Sequence, residues 1–366
     1  MAFKRYFEQF DFPLLIITLL ISALGLMTIY SISGDEPAMN DFQKQLIWIG
    51  ISLFLLVITL LINLDILKIL GLILYFITLS ILLALAIANY FKLGIHRWVE
   101  IPIIKLRLQP SEFAKLFTVL TLAYWMEKWG DKRPGIAQLI VPAIIVGIPL
   151  LLIIKQPDLG TALILPLVML TMIFIAGFRV RTLLILGLCI MIPGYFVGRQ
   201  FIKPYQMKRI TSFLNPEADP LGAGYQVIQS KIAIGSGGLL GKGYQQGSQS
   251  HLNFLPVQST DFIFAVWSEE RGFIGVIILL SLYILLILRC LKAAKKHDKY
   301  FGIYTCVGIT GILISQIVIN IAMITGMLPV TGLPLPLMSY GGSACLTVYM
   351  SLAIVLNIGM RSFPQY

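Results

Sequence analysis

The chain has 366 residues, of which 58% are hydrophobic and only 12% are charged. Soluble domains contain about 25% charged residues, and disorder requires low hydrophobicity with high charge, so the composition excludes both classes and indicates a polytopic membrane protein. The net charge of +11 would suggest nucleic-acid binding in a soluble chain, but here the cations lie in loops beside membrane spans, so nucleic acid is not an expected partner.

Ten apolar stretches without internal charge are candidates for membrane helices, which need roughly 20 residues. They predict an all-α fold in which a single membrane domain occupies residues 1–366. A long segment at about residues 199–261 joins the seventh and eighth spans, and its apolar and aromatic residues predict a structured outer loop. The predicted spans cover residues 12–30, 45–62, 69–91, 111–125, 135–154, 159–178, 182–197, 272–288, 301–325 and 343–360.

The distribution of Lys and Arg predicts the orientation in the membrane. An even number of spans places both termini on one side, and the terminal segments and loops on that side carry 14 of the 28 Lys and Arg, whereas the short loops on the other side hold only Lys44 and Lys155. By the positive-inside rule, both termini are expected in the cytoplasm. The spans carry almost no charge away from their ends, which favours chemistry at the outer surface over transport.

Further cations cluster in two longer outer segments, around the third and seventh connections. Clustered cations beside a membrane suit an anionic head group such as a phosphate. The three histidines are scattered and the four cysteines lie in apolar runs, without metal-ligand spacing. The sequence therefore predicts an anionic head group as ligand, cysteines that serve packing, and no catalytic metal held by His or Cys.

Two outer positions combine charge with the start of a span. Pro110 and Glu112 are typical of a first helical turn, and Lys115 shares a face with Glu112 because residues i and i+3 are neighbours on a helix. Two interpretations of this pair are open: an ion pair that fixes the helix, or a head-group contact through Lys115 with Glu112 orienting it. The next outer turn needs its proline and glycine for geometry, but not Lys155 and Asp158, which are therefore candidate site residues.

The long outer loop contains a helical pattern and a candidate catalytic carboxylate. Apolar residues at 221, 225, 228 and 232 repeat with helical spacing, which predicts a helix lying along the interface on that face. Asp261 stands where the loop returns to the membrane, between polar and aromatic sequence. Partial desolvation there should raise its pKa toward that of a useful general base. Asp is also a common helix N-cap, so both roles are open.

The last outer segment, residues 326–344, holds apolar residues, prolines and glycines but no charge. Apolar loops do not normally lie in water. We therefore expect this segment to be re-entrant or tightly packed against the helices.

Together these stretches resemble the shape, elongation, division and sporulation (SEDS) family, and most closely its rod-shape branch. The most specific part is residues 320–344, where an Asn, five residues, Gly-Met-x-Pro-Val-x-Gly-Leu and then Leu-Met-Ser-Tyr-Gly-Gly-Ser-Ala fit the family signature. The resemblance runs over nearly the whole chain. Residues 97–98, 109–115, 155–161, 222–226, 235–243 and 261–275 also stand in the family's order.

The resemblance implies a peptidoglycan glycosyltransferase that polymerises lipid II at the outer face of the cytoplasmic (inner) membrane during cell elongation; a lipid II flippase is the alternative function. It implies Asp261 as the base, Glu112 and Lys115 as further catalytic residues, and a divalent cation (Mg²⁺ or Mn²⁺) as a candidate cofactor. The implied partners are lipid II, a class B penicillin-binding transpeptidase with a single span, and other membrane proteins of the elongation complex. Substrate-binding candidates, chiefly for the pyrophosphate, are Arg97, Lys115, Lys155, Asp158, Arg209, Lys231, Ser339 and Tyr340.

Overall fold

The computed structural model describes residues 8–33, 40–91, 97–101, 106–130, 134–179, 181–183, 187, 204–215, 222–251, 254 and 257–362. These residues are mostly helical, with one short antiparallel pair of strands in which Val99 lies opposite Leu108. The strands are β1 (Val99–Ile101) and β2 (Leu106–Leu108), and two 3-10 helices cover Glu127–Trp129 and Ile136–Leu139. The α-helices are α1 (Phe12–Ile32), α2 (Asp41–Leu61), α3 (Leu64–Tyr90), α4 (Pro110–Met126), α5 (Ile140–Lys155), α6 (Leu159–Ile175), α7 (Pro204–Leu214), α8 (Ala223–Ser236), α9 (Ser248–His251), α10 (Ile263–Lys296), α11 (Tyr300–Ile324) and α12 (Gly342–Met360).

The helices confirm a multi-pass membrane protein. Among the described residues, seven helices are long and apolar enough to cross a membrane: α1, α2, α3, α10, α11, α12, and α5 together with the 3-10 helix before it. The predicted fourth and sixth spans are also helices, α4 and α6, each of 17 residues. The predicted seventh span, residues 182–197, lies mostly outside the described residues, so the total of ten spans stays a prediction.

Side chains and prolines explain where several spans begin. The carboxylate of Asp11 accepts a hydrogen bond from the amide three residues on, at 3.1 Å, and Asn40 and Asp158 do the same at 3.0 and 3.2 Å. Each bond satisfies a helix-start amide that has no partner within the helix. Pro110, the first residue of α4, needs no such partner because proline has no amide hydrogen.

The centre of the bundle is formed by α11 and α12. In their most apolar stretches 78% and 83% of the residues are buried, against 22% for α5 and 28% for α2 and α3. The outer helices therefore turn most of their apolar side chains toward lipid. Cys290, Cys306 and Cys345 are buried and form no disulfide, which agrees with a packing role, while Cys189 lies outside the described residues.

Helix α10 is kinked at Gly272, where φ is 61° and ψ is −163°. The segment 237–243 lies against this kink, and its carbonyls accept hydrogen bonds from the amides of Phe273 and Ile274 at 2.9 and 3.2 Å. A Cβ atom at position 272 would lie 2.3 Å from the amide nitrogen of Gly241. Both the backbone conformation and this close approach require glycine.

The predicted eighth span, residues 272–288, corresponds to the part of α10 that follows its kink at Gly272. Helix α10 begins at Ile263 rather than at residue 272, and its first half is buried, including Glu269 and Glu270, which are 0% and 2% exposed. Both carboxylates have partners: Lys242 Nζ lies 2.7 Å from Glu269 Oε1, and the Gln245 amide donates to Glu270 at 3.2 Å. A search of the sequence for uncharged runs ends a span at Glu269 and Glu270. In the folded protein, groups of the outer loop bond both carboxylates, so they can be buried.

The helix predicted in the outer loop is confirmed as α8, and the contact of its apolar stripe with the membrane interface stays a prediction. Ile232 is 45% exposed, whereas Val227, Ser230 and Ala233 are buried. Ser230 Oγ donates a hydrogen bond to the carbonyl of Ile324 at 2.8 Å. Small residues on this buried face let α8 approach the end of α11 closely.

The last outer loop is tightly packed, as predicted. Leu333, Leu335 and Met338 are at most 1% exposed. Gly25 of α1 lies so close that a Cβ atom there would come within 2.5 Å of the Met338 carbonyl oxygen. The loop is therefore part of the protein core and forms a rigid wall beside the helix starts.

Candidate active site

The starts of five helices (α2, α4, α6, α10 and α12) lie at one end of the bundle and are joined by hydrogen bonds. Gln109, before α4, bonds Asp158 at the start of α6 through its side chain (2.9 Å) and Ser343 of α12 through its amide (2.8 Å). Ser259, before α10, donates to Asp41 of α2 at 2.8 Å. Helix starts present amide groups and the positive end of the helix dipole, so this end of the bundle is suited to an anionic ligand.

Asp261 lies in the turn before α10 and is partly exposed. Asn320 Nδ2 donates to the carbonyl of Asp261 at 3.0 Å and to that of Leu333 at 2.6 Å. A Cβ atom at Gly332 would lie 3.4 Å from Asp261 Oδ2, so the loop backbone flanks the carboxylate. Phe262 is the N-cap residue of α10, and no side chain caps the helix, so the alternative role of Asp261 as N-cap is not supported.

The surroundings of Asp261 set the protonation of its carboxyl. Burial raises the pKa of Asp261 above its ordinary value, and hydrogen bonding by Thr260 and the charge of Arg209 partly oppose this rise. A carboxyl with a raised pKa holds a transferred proton more readily than an exposed one, which is what a general base requires.

Ser339 and Tyr340 hold the turn that precedes α10. The Ser339 hydroxyl donates to the carbonyl of Thr260 at 2.5 Å and accepts from the amide of Leu335 at 2.8 Å. The amide of Tyr340 donates to the carbonyl of Ser259 at 2.7 Å. The signature segment thus fixes the residues next to the candidate base, and direct contact of these two residues with substrate stays a prediction.

Glu112 and Lys115 form a buried ion pair in the first turns of α4. Lys115 Nζ lies 2.8 and 2.9 Å from the two carboxylate oxygens, and the side chains are 4% and 1% exposed. Val119, one turn further along α4, packs against Gly308 of α11. The pair therefore lies inside the bundle against the central helix, which is the geometry of the first interpretation, an ion pair that fixes α4. A head-group contact through Lys115 stays a prediction.

Asp158 is the junction between α4 and α6. Its Oδ2 accepts hydrogen bonds from Gln109 Nε2 (2.9 Å) and Ser111 Oγ (2.8 Å), while its Oδ1 caps α6 through the Thr161 amide. The residue is 8% exposed. These bonds give Asp158 a role in holding two helix starts together, and its predicted contact with substrate is untested.

The candidate cations differ in their surroundings. Arg209 of α7 acts on the Asp261 carboxyl through its charge. The side chain of Lys231 lies at the end of α11, where its Cε is 2.4 Å from the place of a Cβ atom on Gly326. Lys155 is exposed at the last residue of α5, and Arg97 is partly exposed before β1. Of the four, Arg209 has the clearest connection to the candidate base.

Sequence reasoning missed two residues that organise the site. Asn320 bonds the backbone on both sides of the candidate base, and Gln109 joins three helix starts. Asn320 carried a signal, since a polar amide inside an apolar span is rare and generally functional. Gln109 carried none beyond its place before a proline.

Comparison with known proteins places the chain in a family. A family model named FTSW_RODA_SPOVE and described as "Cell cycle protein" matches residues 12–363. The chain belongs to this family. Its FTSW_RODA_SPOVE relatives include the peptidoglycan glycosyltransferase MrdB of Escherichia coli K12, which is 38% identical over 351 residues, 95% of this chain and 93% of that protein.

Solved structures of the FTSW_RODA_SPOVE family share the fold. A chain from a structure described as "Structural coordination of polymerization and crosslinking by a peptidoglycan synthase complex" matches with a TM-score of 0.79 and 32% identity, over 97% of this chain and 99% of that one. The crystal structure of the Thermus thermophilus rod shape determining protein RodA matches with a TM-score of 0.71 and 28% identity, over 97% and 98% of the two chains. The resemblance read from the sequence is confirmed.

Proposed function

We propose that this chain is a peptidoglycan glycosyltransferase that polymerises lipid II, with Asp261 as its general base. The activity is supported by family membership and by relatives such as MrdB, which carries this name and is 38% identical over 95% of this chain. The observation that carries the residue assignment is the position of Asp261. Its carboxyl has a raised pKa and lies at the end of the bundle where five helix starts meet.

The reaction is one displacement at a sugar carbon. The 4-hydroxyl of one lipid-linked disaccharide attacks the anomeric carbon of another, and the new C–O bond forms as the bond to the pyrophosphate oxygen breaks. The hydroxyl proton passes to the Asp261 carboxylate, and the bonding electrons leave with the pyrophosphate. The configuration at the anomeric carbon inverts because a single displacement occurs. Such a base contributes about 10²–10⁴-fold to the rate.

The leaving pyrophosphate gains negative charge and needs cations or amide donors beside it. Arg209 is one candidate cation, because its charge lowers the pKa of the Asp261 carboxyl. Lys155 ends α5, Arg97 precedes β1, and the side chain of Lys231 lies beside Gly326 at the end of α11, and we expect these three cations to contribute as well. The starts of α10 and α12, where no side chain caps the helix, add amide donors.

Glu112, Lys115, Asp158, Ser339 and Tyr340 act by holding this arrangement. The buried pair Glu112–Lys115 fixes the first turns of α4, Asp158 joins α4 to α6, and Ser339 with Tyr340 secures the turn before the base. A base misplaced by about 1 Å can cost 10²-fold in rate, so their loss should affect catalysis without any contact with the sugar.

A divalent cation fits this site if the substrate supplies most of its ligands. The described residues contain no group of three or more His, Cys, Asp or Glu that could hold a metal ion. Mg²⁺, however, is usually bound by one or two carboxylates together with substrate phosphates. Asp261 is such a carboxylate next to the proposed pyrophosphate position, and a bound cation would neutralise charge on the leaving group.

The site faces the outside of the inner membrane, and both termini lie in the cytoplasm. The positive-inside distribution of Lys and Arg supports this orientation. A class B penicillin-binding transpeptidase with a single span is the proposed partner, together with other membrane proteins of the elongation complex. The structural relative described as part of a peptidoglycan synthase complex that couples polymerization and crosslinking supports such a partner.

The decisive experiment is lipid II polymerisation by the purified protein with its transpeptidase partner in detergent, with glycan chains resolved on a gel. We expect chains without any membrane gradient, because the reacting groups never cross the bilayer. The flippase alternative, which the names of the relatives do not favour, predicts no chains in detergent but movement of labelled lipid II across vesicle membranes. That combination would overturn the proposed function.

A further inference from the structure

A cavity of about 180 Å³ opens at the end of the bundle opposite Asp261, between the start of α1 and the last turns of α10 and α12. Helix α10 begins just after Asp261 and reaches the cavity only near its far end, so the two regions are separated by the thickness of the bundle. The cavity walls include Asp11, Leu14, Arg289, Lys292, Lys296 and Leu356.

Three cations line one side of this cavity. Arg289, Lys292 and Lys296 follow one another at spacings of three and four residues, so they share one face of α10. Arg289 lies 3.7 Å from the carboxylate of Asp11, and Lys296 hydrogen-bonds Gln9. With three cations and one carboxylate on its walls, the cavity carries a net positive charge that suits an anion.

The floor of the cavity is formed by apolar side chains. Leu14 and Leu356 are buried in its floor. On the cationic face of α10, Leu285 and Leu288 lie four residues before Arg289 and Lys292 and are 46% and 55% exposed toward the surrounding lipid. A ligand with a phosphate at the rim and hydrocarbon chains running along this face would match both halves of the surface.

We propose that this cavity binds the phosphate head group of an anionic phospholipid from the leaflet on the side of the chain termini. Basic pockets between helix ends are a known type of binding site for such head groups. The positive-inside rule explains why cations are found on this side, but it predicts no alignment around a cavity. Lys295 and Lys299 show the difference, because they belong to the same basic segment and do not line the cavity.

The test is native mass spectrometry of the full chain in detergent, titrated with phosphatidylglycerol or with zwitterionic phosphatidylcholine. We expect phosphatidylglycerol to bind at least tenfold more tightly. K292Q/K296Q should weaken its binding about tenfold, whereas the matched control K295Q/K299Q, which removes the same charge from outside the cavity, should change it less than twofold. Equal losses in the two variants would mean general surface attraction and would overturn the proposal.

Two further measurements keep the outcome decisive. Soluble glycerol 3-phosphate should bind far more weakly than phosphatidylglycerol, because it lacks the chains that contact Leu285 and Leu288; equal binding would show a site for free phosphate instead of lipid.

If K292Q/K296Q lowers the melting temperature, the single change Lys292→Gln replaces it, since Lys292 is exposed. No weakening with that variant would likewise contradict the proposal. Glycan synthesis by these variants reports separately on the proposed function.

Discussion

At the level of single residues, Asp261 combines features that are rarely found together. Its carbonyl is held by Asn320 and its carboxylate lies beside Gly332, while the residue stays partly exposed. Asn320 thus fixes the backbone at Asp261 by bonding its carbonyl and not its carboxylate. Partial burial raises the pKa, and Arg209 limits the rise, so the group can be ionised before the reaction and still accept a proton.

Asp261→Asn should abolish polymerisation without destabilising the protein. The loss of the base predicts a fall in rate of about 10²–10⁴-fold. Because the pKa is raised in the folded state, the ionised carboxylate is disfavoured by folding, and the neutral amide should leave the melting temperature at neutral pH unchanged or higher. Rates from glycan gels and melting curves in detergent measure the two effects.

The matched control is Asp65→Asn, which removes a carboxylate from the first turn of α3 on the opposite side of the bundle. It should keep near wild-type activity. Glycan synthesis by Asp261→Asn at close to the normal rate would contradict the assignment of the base.

The pH dependence of the rate tests the influence of Arg209. The carboxyl of Asp261 must be ionised to act, so its raised pKa shifts the acidic limb of the pH–rate profile upward from the range of an exposed Asp. Arg209→Gln removes a charge that lowers this pKa, so the limb should move to still higher pH. Arg107→Gln, at an exposed cation of the hairpin, should leave the limb in place, and a shift of equal size in both variants would argue against a specific effect.

At the level of secondary-structure elements, two charged contacts stabilise the helices, one within a single helix turn and one between a loop and a helix. The pair Glu112–Lys115 stabilises the start of α4 inside the bundle. The segment 237–243 packs on the kink of α10, where Lys242 neutralises Glu269. The first contact stabilises the start of α4 and the second stabilises α10 before its kink, so both should couple local stability to activity.

Removing either partner of the buried pair should be almost as harmful as removing both. Lys115→Met leaves the Glu112 carboxylate buried without a partner, which typically costs about 3–5 kcal/mol. The double variant E112Q/K115M should be little worse than either single variant, in stability and in glycan synthesis, because the two residues act as one unit. Unfolding in detergent and polymerisation assays provide the double-mutant cycle.

The control pair is Glu100–Arg107 of the hairpin, whose side chains are 56% and 71% exposed. Its single substitutions to Gln should cost less than about 1 kcal/mol. Additive losses at Glu112 and Lys115 would indicate separate roles, and full activity of both single variants would leave the pair without a role in catalysis.

The kink of α10 should not tolerate a side chain. Gly272→Ala places a methyl group 2.3 Å from the Gly241 amide nitrogen and strains the backbone at φ 61°, so we expect a loss of about 1–3 kcal/mol or more together with reduced activity. Gly50→Ala in α2 is the control, because nothing lies within 4 Å of its Cβ position. Melting temperatures in detergent compare the two, and equal values would contradict the packing described for segment 237–243.

At the level of the whole molecule, the helices divide the protein into two chemically different ends. One end holds the converging helix starts and Asp261, and the other holds the start of α1, the basic last turns of α10 and the end of α12. The central helices α11 and α12 are largely buried, while α2, α3 and α5 present most of their surface outward. The candidate active site lies at one end of the bundle and the basic end of α10 lies at the other. This arrangement fits an enzyme that works on one face of a membrane.

The orientation can be tested by labelling single cysteines. In a background without the natural cysteines, an impermeant maleimide added to intact spheroplasts should label Glu100→Cys in the hairpin before α4. Asp298→Cys, between α10 and α11, should react only after the membrane is permeabilised. Both positions are exposed, so the side of the membrane, and not burial in the protein, decides which cysteine reacts. The reverse pattern would contradict the proposed orientation.

The sequence by itself determined the membrane class, the family and most of the spans. Membrane helices form their backbone hydrogen bonds within one segment, so their approximate limits follow from local composition. The packing of the last outer loop could likewise be predicted, because its lack of charged residues is visible in the local sequence. Asp261 could be singled out because an acid between polar and aromatic sequence is likewise visible without a partner.

Only the tertiary structure decided which residues surround Asp261 and which face of α8 is buried. Asn320 bonds Asp261 across 59 positions of sequence, and Ser230 bonds Ile324 across 94. The first half of α10 also depends on partners from another segment, since the buried Glu269 is bonded by Lys242 and by the Gln249 amide. The local sequence does not show which distant group will be the partner in such a contact. Burying a polar side chain is favourable only when that partner is in place.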